Sequence, residues 1–240
     1  MSEENTHKVK ITKKQSIEYI PLIITGILLI TCGIIFKQHP IKFLPTMVSL
    51  VVGLFTARVN RYMFLIAGAN CILYSIGFFM TGANGQAISA LAISFPSSVL
   101  AFILWSKNQT ESKDVITRRL NKRSGSLFAI GTLIFSVGTY FVLKAMDTKS
   151  LMLETGIFVL GVLITVMQML RYIETPFLNM ISGVITIVQW TIFTIADTAN
   201  INYIIYNVFY LYCITLSTFK WIKLYRSQNS KTAKTEEVSV

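Results

Sequence analysis

LMLETGIFVLGVLITVMQML, RYIE and TPFLNMISGVITIVQWTIFTIA, read without a break from Leu151 to Ala196, decide the fold of this chain. Two apolar runs close to the ~20 residues of a bilayer-spanning helix are separated only by Arg171-Tyr172-Ile173-Glu174. Such a pair reads as a span, a tight basic turn and a second span. The pattern extends outward in both directions, to apolar segments at Ile17–Phe36, Phe43–Ala57, Met63–Met80, Ala87–Trp105, Leu127–Leu143, Leu151–Leu170, Phe177–Ala196 and Ile201–Phe219. A hydrophobic fraction of 53% and a mean hydropathy of +0.59 over 240 residues leave too little polar sequence to cover a soluble domain of this size. The second segment is short and holds Pro45 near its start, so a full span and half of a re-entrant pair both remain open.

Charge then orients the segments. Eighteen of the 22 Lys and Arg residues lie in alternate gaps and at the termini, and only Lys37, Lys42, Lys144 and Lys149 lie opposite. The positive-inside rule predicts that both termini are cytoplasmic. The net charge of +11 is spread over five membrane-flanking positions rather than one face, so anionic headgroups explain it and a nucleic-acid partner is not expected. The first apolar run is too long for a cleaved signal and is expected to stay as an anchor. Cys32, Cys71 and Cys213 fall within apolar segments, where a thiol behaves as a small hydrophobe.

The predicted fold is an all-α integral membrane protein with eight transmembrane helices in a 1+3+1+3 order. A cytoplasmic tail (1–16) precedes an extra helix (17–36), a first three-helix unit (43–105) and a basic linker (106–126) with a short helix around Val115–Leu120. A connector helix (127–143), a second three-helix unit (151–223) and a disordered tail (224–240) follow. Arg61-Tyr62 and Arg171-Tyr172 each introduce a span, Leu65–Gly68 parallels Met180–Gly183, and Trp105 and Trp221 close the last span of each unit. One connector between two three-helix units leaves them parallel.

In the seventh segment Thr175, Asn179, Ser182, Thr186 and Gln189 recur at spacings of four, three, four and three, which places them on one helix face. Unpartnered amides and hydroxyls facing hydrocarbon are costly, so this stripe faces other helices or a hydrated cavity. Interhelical packing glue is the alternative to a binding face. Asn70 and Tyr74 in the third segment, and Tyr203, Asn207 and Tyr210 in the eighth, add amides and phenols at helical spacing. Tyr203 is read as part of an interfacial aromatic belt. Glu18, Glu154, Glu174 and Asp197 lie near segment ends, where a solvated charge is expected, so no carboxylate is predicted at mid-depth. The phosphate-binding Gly-Lys-Ser/Thr loop and the His-Glu-x-x-His signature are missing, and His7 and His39 lie outside the spans, so neither an enzyme nor a cofactor is expected.

From about Phe43 to Lys223 these residues resemble the PnuC family of vitamin and nucleoside-type transporters. Asn70 with Tyr74 is similar to the family's Asn with an aromatic four residues on. Ala92–Trp105 followed by Ser106-Lys107-Asn108 resembles its span ending in Trp, and Glu154, Arg171–Glu174 and Trp221-Ile222-Lys223 match further steps. The resemblance implies parallel three-helix repeats related in architecture to SWEET transporters, and a homotrimer. It also implies facilitated diffusion of nicotinamide riboside or a related vitamin or nucleoside-like solute, trapped by a cytoplasmic kinase. Where nicotinamide riboside members carry Trp-x-x-Trp and then Asn, this chain has Pro176, Asn179 and Gly183. The family's mid-span amide falls at Leu91, and the Gly four residues before each closing Trp becomes Ala101 and Ser217. Asn179, Thr186, Gln189 and Trp190 are expected to form a replacement site, with Asn70, Tyr74, Ser182, Asn207 and Tyr210 completing it.

Overall fold

A computed structural model of the chain describes residues 13–110, 114–148 and 150–238. The described residues form helices α1 (Lys13–Ile35), α2 (Pro40–Ala57) and α3 (Tyr62–Thr81). A broken span follows, made of α4 (Asn84–Ile88), a π turn (Ser89–Ser94) and α5 (Phe95–Lys107). The chain then continues through α6 (Lys122–Ala145), α7 (Leu151–Met169), α8 (Thr175–Ala196) and α9 (Ile201–Val238). Among the described residues seven helices are long and apolar enough to cross a membrane, taking Asn84–Lys107 as one. α9 is 38 residues long, but Asn202, Tyr203, Tyr206, Asn207, Tyr210 and Tyr212 dilute the hydropathy of its opening turns.

Local sequence explains the irregular elements. α2 begins a turn earlier than its apolar run because His39 caps it, accepting from Ile41 N, and Pro40 supplies a pre-set first residue. Its 18 residues are long and apolar enough for a full span despite Pro45. In the fourth span Pro96 has no N–H to give and its ring crowds the carbonyl four residues back. The ladder widens there, and Phe95 N–H bonds to Ala90 O, five residues away.

The two ends of the bundle differ. At the basic end Glu18 of α1 accepts from Arg58 at 2.7 Å and from Lys220 at 3.0 Å, and Trp105 meets Trp221. At the opposite, distal end Lys42 bridges to Asp197 at 3.2 Å and Gln38 donates to Ala199 O. α9 packs chiefly along α8 and α2, while α6 packs on α7 and exposes Leu127, Leu133, Ile134 and Phe141 to the surroundings.

Two sequence expectations fail at the basic end. Val115–Leu120 is not helical but extended. Arg118 N–H donates to Arg171 O, Ile173 N–H to Arg118 O and Leu120 N–H to Glu174 Oε1. The β-branched run Val115-Ile116-Thr117 disfavours a helix, and the 171–174 turn satisfies the extended backbone instead. Residues 224–238, read as a disordered tail, prolong α9. Gln228 fastens that extension by accepting from Thr117 N–H and Oγ1 and donating to Val115 O. Arg171 itself has φ 67° and is buried, and burial with the neighbouring Arg118 charge lowers its pKa from the ordinary guanidinium value.

Candidate functional site

Helical spacing assembles an aromatic cluster between α3, α8 and α9. Tyr74 and Phe78, one turn apart on α3, stack at 5.0 Å between centroids. Trp190 of α8 lies on Tyr203 of α9 at 3.9 Å and 27°, and Phe78 reaches both at 5.6 and 5.7 Å. Tyr206 extends the group from Tyr74 at 6.3 Å to Tyr210 at 5.7 Å. Trp190 and Tyr203 are each 1% exposed. Tyr203 is therefore not a belt residue. The 3-10 turn Thr198–Asn200, held by Asp197, Asn200 and Lys42, leads into α9, and Ala83, Phe78, Trp190 and Phe193 enclose Tyr203. Gly77 makes the approach feasible, since a Cβ there would sit 2.9 Å from Tyr203 Oη and 3.4 Å from Ile41 O.

Beneath the rings Asn70 Nδ2 donates to Pro45 O and to Ser49 Oγ, each at 2.8 Å, and Ser49 Oγ donates to Tyr74 Oη at 2.9 Å. Asn70 Oδ1 and Tyr203 Oη are buried with no partner within the protein. Buried polar atoms are nearly always paired, and these two are among eight such side-chain atoms left without a protein partner among the described residues.

The third component overturns an expectation. Glu154 is fully buried rather than solvated. Its Oε2 accepts from Gln86 N–H at 3.1 Å, and its Oε1 accepts from Gln86 Nε2 at 3.4 Å and from Gln189 Nε2, while Gln86 Nε2 also donates to Gln189 Oε1. The first turn of α7 is covered because α4 starts at once after the Gly82 turn (φ 78°) and lays its own first turn across it. Leu91, where the resemblance placed the family's amide, is 47% exposed; Gln86 supplies the inward amide instead.

The predicted stripe on α8 is turned from the surroundings throughout: Thr175 and Gln189 are buried, and Asn179, Ser182 and Thr186 half-buried. Only Gln189 reaches the cluster. Thr186 bonds back to Ser182 O at 2.8 Å, and Asn207 to Tyr203 O at 2.6 Å. Toward the basic end lies a cavity of about 100 Å³ lined by Thr56, Ser94, Ser98, Thr165, Gln168 and Tyr210 among others. The structure thus links Asn70 to Tyr74 through Ser49 and Tyr74 to Trp190 through Phe78, joins Gln189 to Glu154 and Gln86, and sets Tyr210 between the rings and the cavity. No hydrogen bond among the described residues links Asn179, Ser182 or Thr186 to that group. Sequence reading missed Ser49, Phe78, Gln86, Glu154 and Tyr206. Gln86 sits just ahead of its apolar run, and Glu154 had no basic neighbour within a turn to solvate with, which were the available signals. No group of three or more His, Cys, Asp or Glu able to hold a metal occurs among the described residues.

Comparison with known proteins places this arrangement. No curated protein matches the chain. Among solved structures it is similar to one described as "Crystal structure of the Vitamin B3 transporter PnuC", at 16% identity and a TM-score of 0.76, over 88% of this chain and 92% of that one. The likeness shows the fold. The family model described as "Nicotinamide mononucleotide transporter" matches residues 39–223, from the cap of α2 to the basic end of α9 and through every element of the site. With well over half its length matched, the chain belongs to the nicotinamide mononucleotide transporter family.

Proposed function

We propose that this protein is a facilitated-diffusion carrier that imports a flat, hydrogen-bonding vitamin or nucleoside-like solute, which a cytoplasmic kinase then traps. The observation that carries this reading is the pair of unpartnered polar atoms, Asn70 Oδ1 and Tyr203 Oη, buried within an aromatic cluster. They offer an acceptor and a donor beside ring faces, the chemistry of an amide-bearing or hydroxylated heterocycle. Family membership and the vitamin B3 transporter of like fold support the solute class, with nicotinamide riboside as its first member.

In this reading the chain crosses the membrane eight times in the order 1+3+1+3, with parallel repeats, α9 as the last span and the basic end cytoplasmic. Homotrimeric assembly belongs to the same reading. The cavity of about 100 Å³ is smaller than the ~300 Å³ at which small-molecule pockets begin. Solute entry therefore requires this cavity to widen. Asn179, Ser182 and Thr186 line the route past the site.

The test is uptake of labelled nicotinamide riboside, thiamine, riboflavin and nucleosides into liposomes containing the purified protein. Saturable uptake of one compound, insensitive to ionophores and lost in N70L while the protein stays folded, is the expected result. Absence of uptake and binding across the panel defeats the proposal. It would favour a non-transporting sensor or scaffold, a reading supported by the bonds of Gln189, Thr186 and Asn207 to other protein groups.

A further inference from the structure

The turn between α7 and α8, at the basic end, holds a charge that nothing in the protein answers. Of the eight buried side-chain nitrogen and oxygen atoms without a partner among the described residues, four lie here: Arg171 Nε and Nη1, Glu174 Oε2 and Thr175 Oγ1. Arg171 is 5% exposed, and no ion pair among the described residues includes it. A buried cation left without an anion is strongly unfavourable. Arg61, which introduces the first unit as Arg171 does the second, is by contrast engaged: it donates to Gln109 Oε1 at 3.2 Å and lies over the Tyr62 and Phe102 rings.

A second cation stands beside Arg171. The linker strand pairs with the turn in a parallel bridge between Arg118 and Tyr172, with Arg118 N–H bonded to Arg171 O at 2.9 Å and Ile173 N–H to Arg118 O at 2.8 Å. Backbone pairing therefore fixes two arginines near one another, and their repulsion adds to the burial that lowers the Arg171 pKa. Arg118 is exposed, as are Arg119, Lys122 and Arg123 after it, so one guanidinium is sunk in the protein while its neighbours face outward. Planar guanidinium forks match the oxygens of a phosphate, which can accept from both at once. The Glu174 carboxylate opposes an anion. Its Oε1, however, already accepts the Leu120 N–H at 3.1 Å, and its Oε2 is left to take a hydroxyl.

We propose that Arg171 and Arg118 form a site for a phosphate ester that also carries a hydroxyl, either the headgroup of an anionic phospholipid or a free ester. Bound there, the phosphate ties the linker strand to the α7–α8 turn. The site is separate from the aromatic cluster and independent of the solute carried.

The test is the melting temperature of the whole protein in detergent, at constant ionic strength. The probes are inorganic phosphate, glycerol 3-phosphate and dioctanoylphosphatidylglycerol, with sodium chloride and uncharged dioctanoylglycerol as controls. At least one phosphate probe is expected to raise Tm saturably by about 2–4 °C above the controls. A rise with glycerol 3-phosphate assigns the site to free esters, and a rise with the phospholipid alone assigns it to the membrane. R171G and R118Q are expected to lose the rise, and R61Q to keep it. Glycine takes φ 67° without strain, so R171G removes the charge and leaves the turn. Should R171G not fold, R118Q decides, since that side chain is exposed. Absence of a rise with every phosphate probe overturns the inference. So does a rise that R118Q and folded R171G leave whole, or one that R61Q abolishes equally, which is the mark of a diffuse basic surface. The transport reading stands or falls by uptake alone.

Discussion

Two ring pairs hold this bundle, and they differ. At the basic end Trp105 meets Trp221 edge to face, 5.6 Å apart and at 72°, inside an apolar group with Met63, Phe64, Ala101 and Val115. The Trp105 indole N–H donates to Gln168 O at 2.9 Å. Toward the distal end Trp190 and Tyr203 lie nearly parallel at 3.9 Å, and the Tyr203 hydroxyl has no partner within the protein. Both pairs bury large rings. The first has the Trp105 indole N–H satisfied and serves as a seam between α5 and α9; the second leaves the Tyr203 hydroxyl unspent, as the proposed site requires.

The largest effects are expected from removing each stack. W190A and W105A are both expected to lower unfolding stability by about 3–5 kcal/mol, as large-to-small changes in a core do. Only W190A should abolish solute binding; W105A protein that folds should bind with unchanged Kd by calorimetry. Equal losses of affinity would erase the distinction between seam and site. Next, N70L strips Ser49 Oγ and Pro45 O of a donor and should cost about 1–3 kcal/mol in thermal unfolding, together with saturable uptake. Y203F sharpens the comparison. Removal of an unpartnered hydroxyl should leave melting unchanged or raise stability by up to about 1 kcal/mol, while affinity falls. A marked drop in stability would show that the hydroxyl is bonded and belongs to the scaffold. The smallest effect is expected of E18Q, with a change of about 0–1 kcal/mol in melting and none in transport.

Seven of the spans were legible because hydropathy depends only on composition over twenty-residue windows. Resemblance to the family was legible too, in Asn70-to-Tyr74, Trp105 and Arg171–Glu174. What sequence concealed was depth. Glu154 and Tyr203 each sit within a turn of their helix start, where solvent is the natural expectation. The structure buries both because other elements close over that start, α4 with Gly85 and Gln86 over Glu154, and α3 and α8 with Gly77, Phe78 and Trp190 over Tyr203. Such coverage is a long-range event without a local signature. The α8 stripe was legible as a face but not as a set of roles: one residue, Gln189, turns to a carboxylate that no periodicity on α8 announces.

The Glu18 clasp also has a schedule. α1 lies outside the matched stretch 39–223, yet Glu18 is held by Arg58, 40 residues later, and by Lys220, 202 residues later. At the ~5–20 residues per second of protein synthesis, Arg58 follows Glu18 by about 2–8 s and Lys220 by about 10–40 s. A young chain therefore carries the Glu18–Arg58 pair alone through most of its making, and only the arrival of the last helix adds Lys220 to the clasp.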